Sequence, residues 1–129
     1  MARSEADQRT LDLVLGMFDA VLCPMDSGAV DRFIAPGYIQ HSPLAPPGRD
    51  ALKAFLDHIR AETPDAVHDI KRAFVDGDHV TVHYHVRRWD GDTGFAVIDI
   101  FRVEDGLIAE HWDVSQPVAS GGPNPIGMF

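Results

Sequence analysis

From residue 11 onward the apolar positions Leu11, Val14, Leu15, Phe18, Val21 and Leu22 recur at intervals of three and four. That is one face of a helix, expected over residues 4–22 and ended by Cys23-Pro24. A short second helix is expected over 29–34, after which Pro36-Gly37 breaks the chain and Tyr38-Ile39-Gln40-His41 follows as an extended or turn segment. Pro43, Pro46, Pro47 and Gly48 make a stiff loop. A third helix over 50–62 then buries Leu52, Phe55, Leu56 and Ile59 before Pro64. Beyond it the period shortens to two. Residues 67–75, 79–89, 95–103 and 107–114 read as four strands joined at Asp76-Gly77-Asp78, Asp90-Gly91-Asp92 and Glu104-Asp105-Gly106. Helices followed by an antiparallel meander define an α+β fold, with helices on one face of a curved sheet and a cavity at its open end. The irregular segment 120–129, ending Ile126, Met128 and Phe129, reads as a cap on that cavity or a dimer contact.

The strand over 95–103 puts Asp99 on the same face as Phe95, Val97, Phe101 and Val103, so its carboxyl is expected to be buried. Ionised and unpaired there it would be costly, which calls for a strong partner or a pKa raised enough to keep it protonated. The turn decides the partner. A three-residue loop with Gly106 in the left-handed conformation pairs Asp99 with His111, and the Glu-Asp-Gly order favours it. A two-residue Asp105-Gly106 turn pairs it with Trp112 instead. On the favoured register the pocket face carries Asp99, His111 and Asp113.

Composition narrows the partners. A chain of 129 residues is expected to form one domain, residues 1–129, burying roughly two thirds of its unfolded surface. A formal charge of −9 argues against nucleic acid and anionic membrane as partners. The polar start MARSEADQRT has no signal-like apolar stretch, and a cytoplasmic location is expected. The single Cys23 follows the apolar run of a helix and reads as a packed residue.

Two stretches, YIQHSP at 38–43 and VIDIFRVEDGLIAEHWDVSQ at 97–116, resemble the SnoaL-like polyketide cyclases of the NTF2-like superfamily, to which ketosteroid isomerase also belongs. The resemblance runs over nearly the whole chain. It implies an NTF2-like cone, with N-terminal helices on a strongly curved antiparallel sheet enclosing a pocket. It also implies cofactor-free proton-transfer chemistry on a carbonyl-containing apolar substrate: isomerisation, dehydration or aldol cyclisation. Asp99 matches the strand position of the isomerase's protonated oxyanion-hole aspartate, which an apolar site keeps neutral, and of the cyclases' catalytic acid. His41 stands in the segment similar to that of the isomerase's general base, and imidazole can take a proton from carbon next to a carbonyl near neutrality. Gly16-Met17-Phe18 stands where the isomerase has its oxyanion-hole tyrosine, which favours the cyclase branch.

His41, Asp99 and His111 are therefore the expected catalytic residues, with Tyr38, His83, His85, Val97, Phe101, Trp112 and Asp113 expected to bind substrate. His83 and His85 share a strand face that is either cavity wall or solvent, and the pocket reading sends the apolar Val82, Tyr84 and Val86 to a dimer partner. His58, His68 and His79 are expected to be solvated. Three other readings use the same residues. His83-x-His85 converging with His41, His111 and Asp99 or Asp113 would satisfy a metal sphere, although the resemblance implies neither metal nor cofactor. The same cavity without turnover would be a ligand-binding module. The plainest reading is structural, with a loop role for His41 and core or rim roles for Tyr38 and Trp112. A homodimer is the expected assembly.

Overall fold

The computed structural model describes residues 2–129. Helix α1 (Glu5–Met17) starts at Ser4, whose hydroxyl accepts from the Asp7 N–H at 3.1 Å. It runs into a π-helical turn, Phe18–Leu22, closed by the Cys23 N–H donating to the Phe18 carbonyl. The apolar stripe stays continuous through the change of pitch, and Leu11, Val14, Met17, Phe18 and Val21 are all buried. A 3₁₀ helix, Ser27–Arg32, follows instead of the expected helix over 29–34.

The extended segment proves longer than its Pro36-Gly37 pair suggests: Ile34–Gln40 is strand β1, lying parallel to the last strand at the sheet edge. Its register slips between Ile34 and Ile39, so proline and glycine occupy a stretch that skips the regular ladder. Helix α2 (Arg49–Glu62) then packs Leu52 and Leu56 inward and is held to the 3₁₀ segment by Arg49 and Lys53, both on Asp31.

Strands β2 (Val67–Asp76), β3 (His79–Arg87), β4 (Phe95–Glu104) and β5 (Leu107–Pro117) form the expected antiparallel meander. The sheet order is β1-β5-β4-β3-β2. The β4–β5 turn is the two-residue form, with Asp105 and Gly106 both at positive φ (51° and 75°). A bulge at Ala109 then adds a residue, so Val103 pairs with Ile108 but Arg102 pairs with Glu110, and Asp99 lies opposite Asp113. Neither register expected from the sequence is the one formed. Because the turn and the bulge together shift pairing by an even number relative to the favoured register, His111 and Asp113 still share a face with Asp99.

The helices lie against the inner face, where Val80, Val82, Tyr84, Val97, Phe101 and Ile108 join the core. At its centre the Phe18 ring meets Tyr84 and Phe101 edge-on, at 5.3 and 5.9 Å between centroids. Among the described residues no helix is long and apolar enough to cross a membrane.

Candidate active site

Between the sheet, α2 and the end of α1 lies a cavity of about 250 Å³, walled mostly by apolar groups including Val97 and Phe101. Asp99 projects into it from the middle of β4 and is 2 % exposed. His111 reaches it from β5, its ring stacked on Phe101 at 4.8 Å and its Nε2 3.0 Å from Asp99 Oδ1. Tyr84, from the neighbouring β3, is a second hydrogen-bond partner of that carboxyl. Asp113, also on β5, lines the cavity beside them.

The protons of this cluster follow from Gln40. Its Oε1 accepts from the Ser42 N–H at 3.0 Å and lies 2.7 Å from His111 Nδ1, so Nδ1 must carry hydrogen. Its Nε2 donates to the Tyr38 hydroxyl at 2.9 Å, leaving the Tyr38 O–H free to donate elsewhere. The nitrogen of His111 that changes protonation is therefore Nε2, the one facing Asp99. One proton serves both groups: a neutral carboxyl donates to bare Nε2, or a protonated imidazole donates to the carboxylate.

Burial pushes the Asp99 carboxyl up from the ordinary carboxylate range; the bonds from His111 and Tyr84 oppose that, and the charge of Asp113 adds to it. The Tyr38 and Tyr84 hydroxyls are raised as well, first by burial and then by the Asp99 charge. All three groups thus favour their protonated, hydrogen-donating forms.

A stability consequence follows for Asp99. The folded chain holds its proton more tightly than the unfolded chain, so this contribution is fully present below the ordinary value near 4 and is lost as pH rises through the raised one. The Asp99→Asn protein has no such proton to lose. It is expected to gain stability relative to the parent between about pH 4 and neutrality, as denaturant melts at the two ends would register; a relative loss over that interval would contradict it.

Several expected site residues lie elsewhere. His41 does not face the cavity: its side chain is 43 % exposed, its Nε2 is 2.7 Å from Glu110 Oε2, and its ring stacks flat on Trp112. Strand alternation is the reason, since Tyr38, Gln40 and Ser42 point inward from β1 and its continuation while Ile39 and His41 point out. Trp112 is likewise outside, between His41 and His79, opposite Ile100 rather than Asp99.

His83 and His85 also lie on the outer face, because Val80, Val82 and Tyr84 take the inner one under the helices. There His83 contacts Arg72, and His85 donates to the Thr93 carbonyl at 2.8 Å. Phe129 stacks on both rings, so the end of the chain rests on the outer sheet rather than over the cavity. The rival metal sphere of His83, His85 and His41 with His111 and Asp99 or Asp113 is therefore dispersed. Among the described residues, the one group of three such side chains with ligand atoms within 4.8 Å of one another is Asp99, His111 and Asp113.

Gln40, Ser42, Tyr84 and His68 also line the cavity, although the sequence pattern did not mark them as site residues. For Gln40 and Ser42 the signal was present: reading 38–42 as a strand sends them inward with Tyr38.

The family model for SnoaL-like domains matches residues 14–111, three quarters of the chain, and the protein belongs to that family. Solved structures agree in fold. A candidate polyketide cyclase from Acidithiobacillus ferrooxidans is 20 % identical, with 89 % of this chain and 91 % of that one covered at a TM-score of 0.70. An NTF2-like protein of unknown function from Mesorhizobium loti is 22 % identical, with 89 % and 97 % covered at 0.72. A candidate SnoaL-like polyketide cyclase from Jannaschia is 22 % identical, with 89 % and 90 % covered at 0.71. No curated protein matches the chain.

Proposed function

We propose that this protein is an enzyme of cofactor-free acid–base chemistry on an apolar carbonyl compound, acting by isomerisation, dehydration or aldol cyclisation. The observation that carries this reading is the buried Asp99–His111 pair, Oδ1 and Nε2 3.0 Å apart inside an apolar cavity, with a second carboxyl group, that of Asp113, beside it. Membership of a family whose solved relatives include candidate polyketide cyclases supports the same class.

In this mechanism the substrate carbonyl takes hydrogen bonds from protonated Asp99 and from Tyr38. Charge developing on its oxygen is then met by donors already in position. Asp113 has no hydrogen-bond partner among the described residues and is the base that removes the proton from the adjacent carbon, the role the sequence assigned to His41. His111, its Nδ1–H fixed on Gln40, accepts at Nε2 from the Asp99 O–H before substrate binds. During the reaction the Asp99 proton passes to the carbonyl oxygen as the α-proton passes to Asp113, and both return when the carbonyl re-forms. The apolar walls strengthen each of these interactions.

The test is deuterium exchange at the α-carbon of 2-tetralone in D₂O, followed by NMR. Exchange faster than in buffer alone supports catalysis. Binding of the ketone with no acceleration would make the cavity a ligand-binding module instead. A second reading has its own observation, the three donor atoms of Asp99, His111 and Asp113 within 4.8 Å, which suit a divalent cation with Gln40 orienting the imidazole. Stoichiometric metal in elemental analysis of the purified protein would favour it.

The outer sheet face supports pairing of two copies. Ile98 (43 % exposed) lies opposite Val114 (75 %), with Ile100 (36 %) next to them, an uncharged apolar strip on a chain of net charge −9. Sedimentation is expected to give twice the chain mass for the parent and once that mass for Ile98→Asp. A monomeric parent would contradict the pairing.

A further inference from the structure

The polar groups of the acid–base cluster all gather at one end of the cavity. His68 stands apart from them. It projects from β2 into the same space, its ring 5.9 Å from that of Tyr84, whose hydroxyl reaches Asp99. Across the sheet His68 pairs with Val86 and Val86 with Phe95, four residues along β4 from Asp99. Strand spacings make the two backbones about 16 Å apart, and side chains converging on one cavity bring their polar ends to about 10 Å. Phe55, Ile59, Val86, Phe95 and Val97 lie along the same cavity, so the wall between the two polar ends is mostly hydrocarbon, with Ser115, opposite Val97, the polar lining residue on that stretch.

The imidazole itself is unfinished. His68 Nδ1 is sealed from solvent and has no hydrogen-bond partner among the described residues. Burial disfavours the charged ring, so it stands as neutral imidazole with one N–H and one lone pair. A sealed N–H without an acceptor is the rarer and costlier kind of orphan, which leaves the lone pair on Nδ1 and the hydrogen on Nε2. The edge of the ring left to meet a ligand is thus a donor. Cys23 Sγ, 3.9 Å from the His68 carbonyl, ties this part of β2 to the end of the first helical segment.

We propose that His68 is a specificity-determining residue that donates a hydrogen bond to a second oxygen of the substrate, about 10 Å from the reacting carbonyl. The substrate class becomes an elongated apolar carbonyl compound with a distal carbonyl, hydroxyl or ether oxygen. This rests on the acid–base reading for the identity of the first carbonyl, and extends it to the far end of the cavity.

Matched probes test it: 2,6-diacetylnaphthalene, with an acceptor at each end, and 2-acetylnaphthalene, which lacks the distal one. Calorimetric titration of the parent is expected to give about fivefold tighter binding of the diketone, the scale of one neutral hydrogen bond. His68→Leu is expected to bind both probes equally. His68→Gln, which keeps a donor, should recover part of the preference. An unchanged preference in His68→Leu, no preference in the parent, or no binding of either probe to the folded parent would each overturn the proposal. Failure of the acid–base reading looks different. It leaves the His68-dependent preference intact and abolishes only the acceleration of exchange in 2-tetralone.

Discussion

The Asp99→Asn protein is expected to fold and to lose α-exchange activity by a factor of about 10² to 10⁴, the usual contribution of one positioned acid or base. The asparagine amide still donates to an oxygen or to His111 Nε2, so the hydrogen bond survives. What disappears is the Asp99 proton that can be given up to the substrate oxygen and recovered from it. The effect should fall on turnover rather than on ketone affinity, because the charge this proton meets develops only during reaction. His41→Ala is the control, since that side chain pairs with Glu110 outside the cavity and should leave activity near the parent's. Comparable losses in the two variants would contradict an acid at Asp99 and a bystander at His41.

The largest stability effect is expected from Phe18→Ala, about 3–5 kcal/mol. Phe18 is wholly buried where α1 passes into its π-helical turn, and its ring touches Tyr84 and Phe101 at edge-on geometry. Truncation forfeits that burial and leaves a hole that the curved sheet on one side and the helix on the other fill poorly. For a chain of this length the loss corresponds to a fall of roughly 10–20 °C in Tm by calorimetry. A change under about 1 kcal/mol would mean the ring is not the keystone of this core. Because Tyr84 bonds to Asp99 and Phe101 stacks on His111, the surviving folded protein should also lose activity.

The apolar periodicities made most of this fold legible. The 3–4 spacing through Leu22 marked the first helical segment, and alternation across 95–103 put Asp99 inside. The family resemblance then supplied an expected role for a buried acid there. The departures trace to places where a strand gains or loses a residue. Ala109 bulges, so the hairpin register was missed while its parity, and with it His111 and Asp113, was kept. In β2 the pairing jumps from Ile70 to Arg72, so counting back from the inward Ala73 and Val75 sends His68 outward when it lies inside. No sequence pattern marks either extra residue.

His41 failed differently. Pro36-Gly37 hid a parallel edge strand, and without its alternation nothing distinguished His41 from Gln40. For His83 and His85, alternation alone left two faces open. The choice was made by the helices, which cover Val82 and Tyr84 and leave the histidines outside.

The proton sharing proposed for the buried Asp99–His111 pair can be read directly. In protein carrying ¹³C-carboxyl aspartate and ¹⁵N-imidazole histidine, NMR titration should find the Asp99 carboxyl changing state above the ordinary carboxylate range. His111 Nδ1 should stay protonated throughout and Nε2 should respond in step with Asp99. An Asp99 carboxyl that titrates near 4 with no response at His111 Nε2 would mean that the two groups share no proton, and the chemistry proposed for this cavity would have no acid.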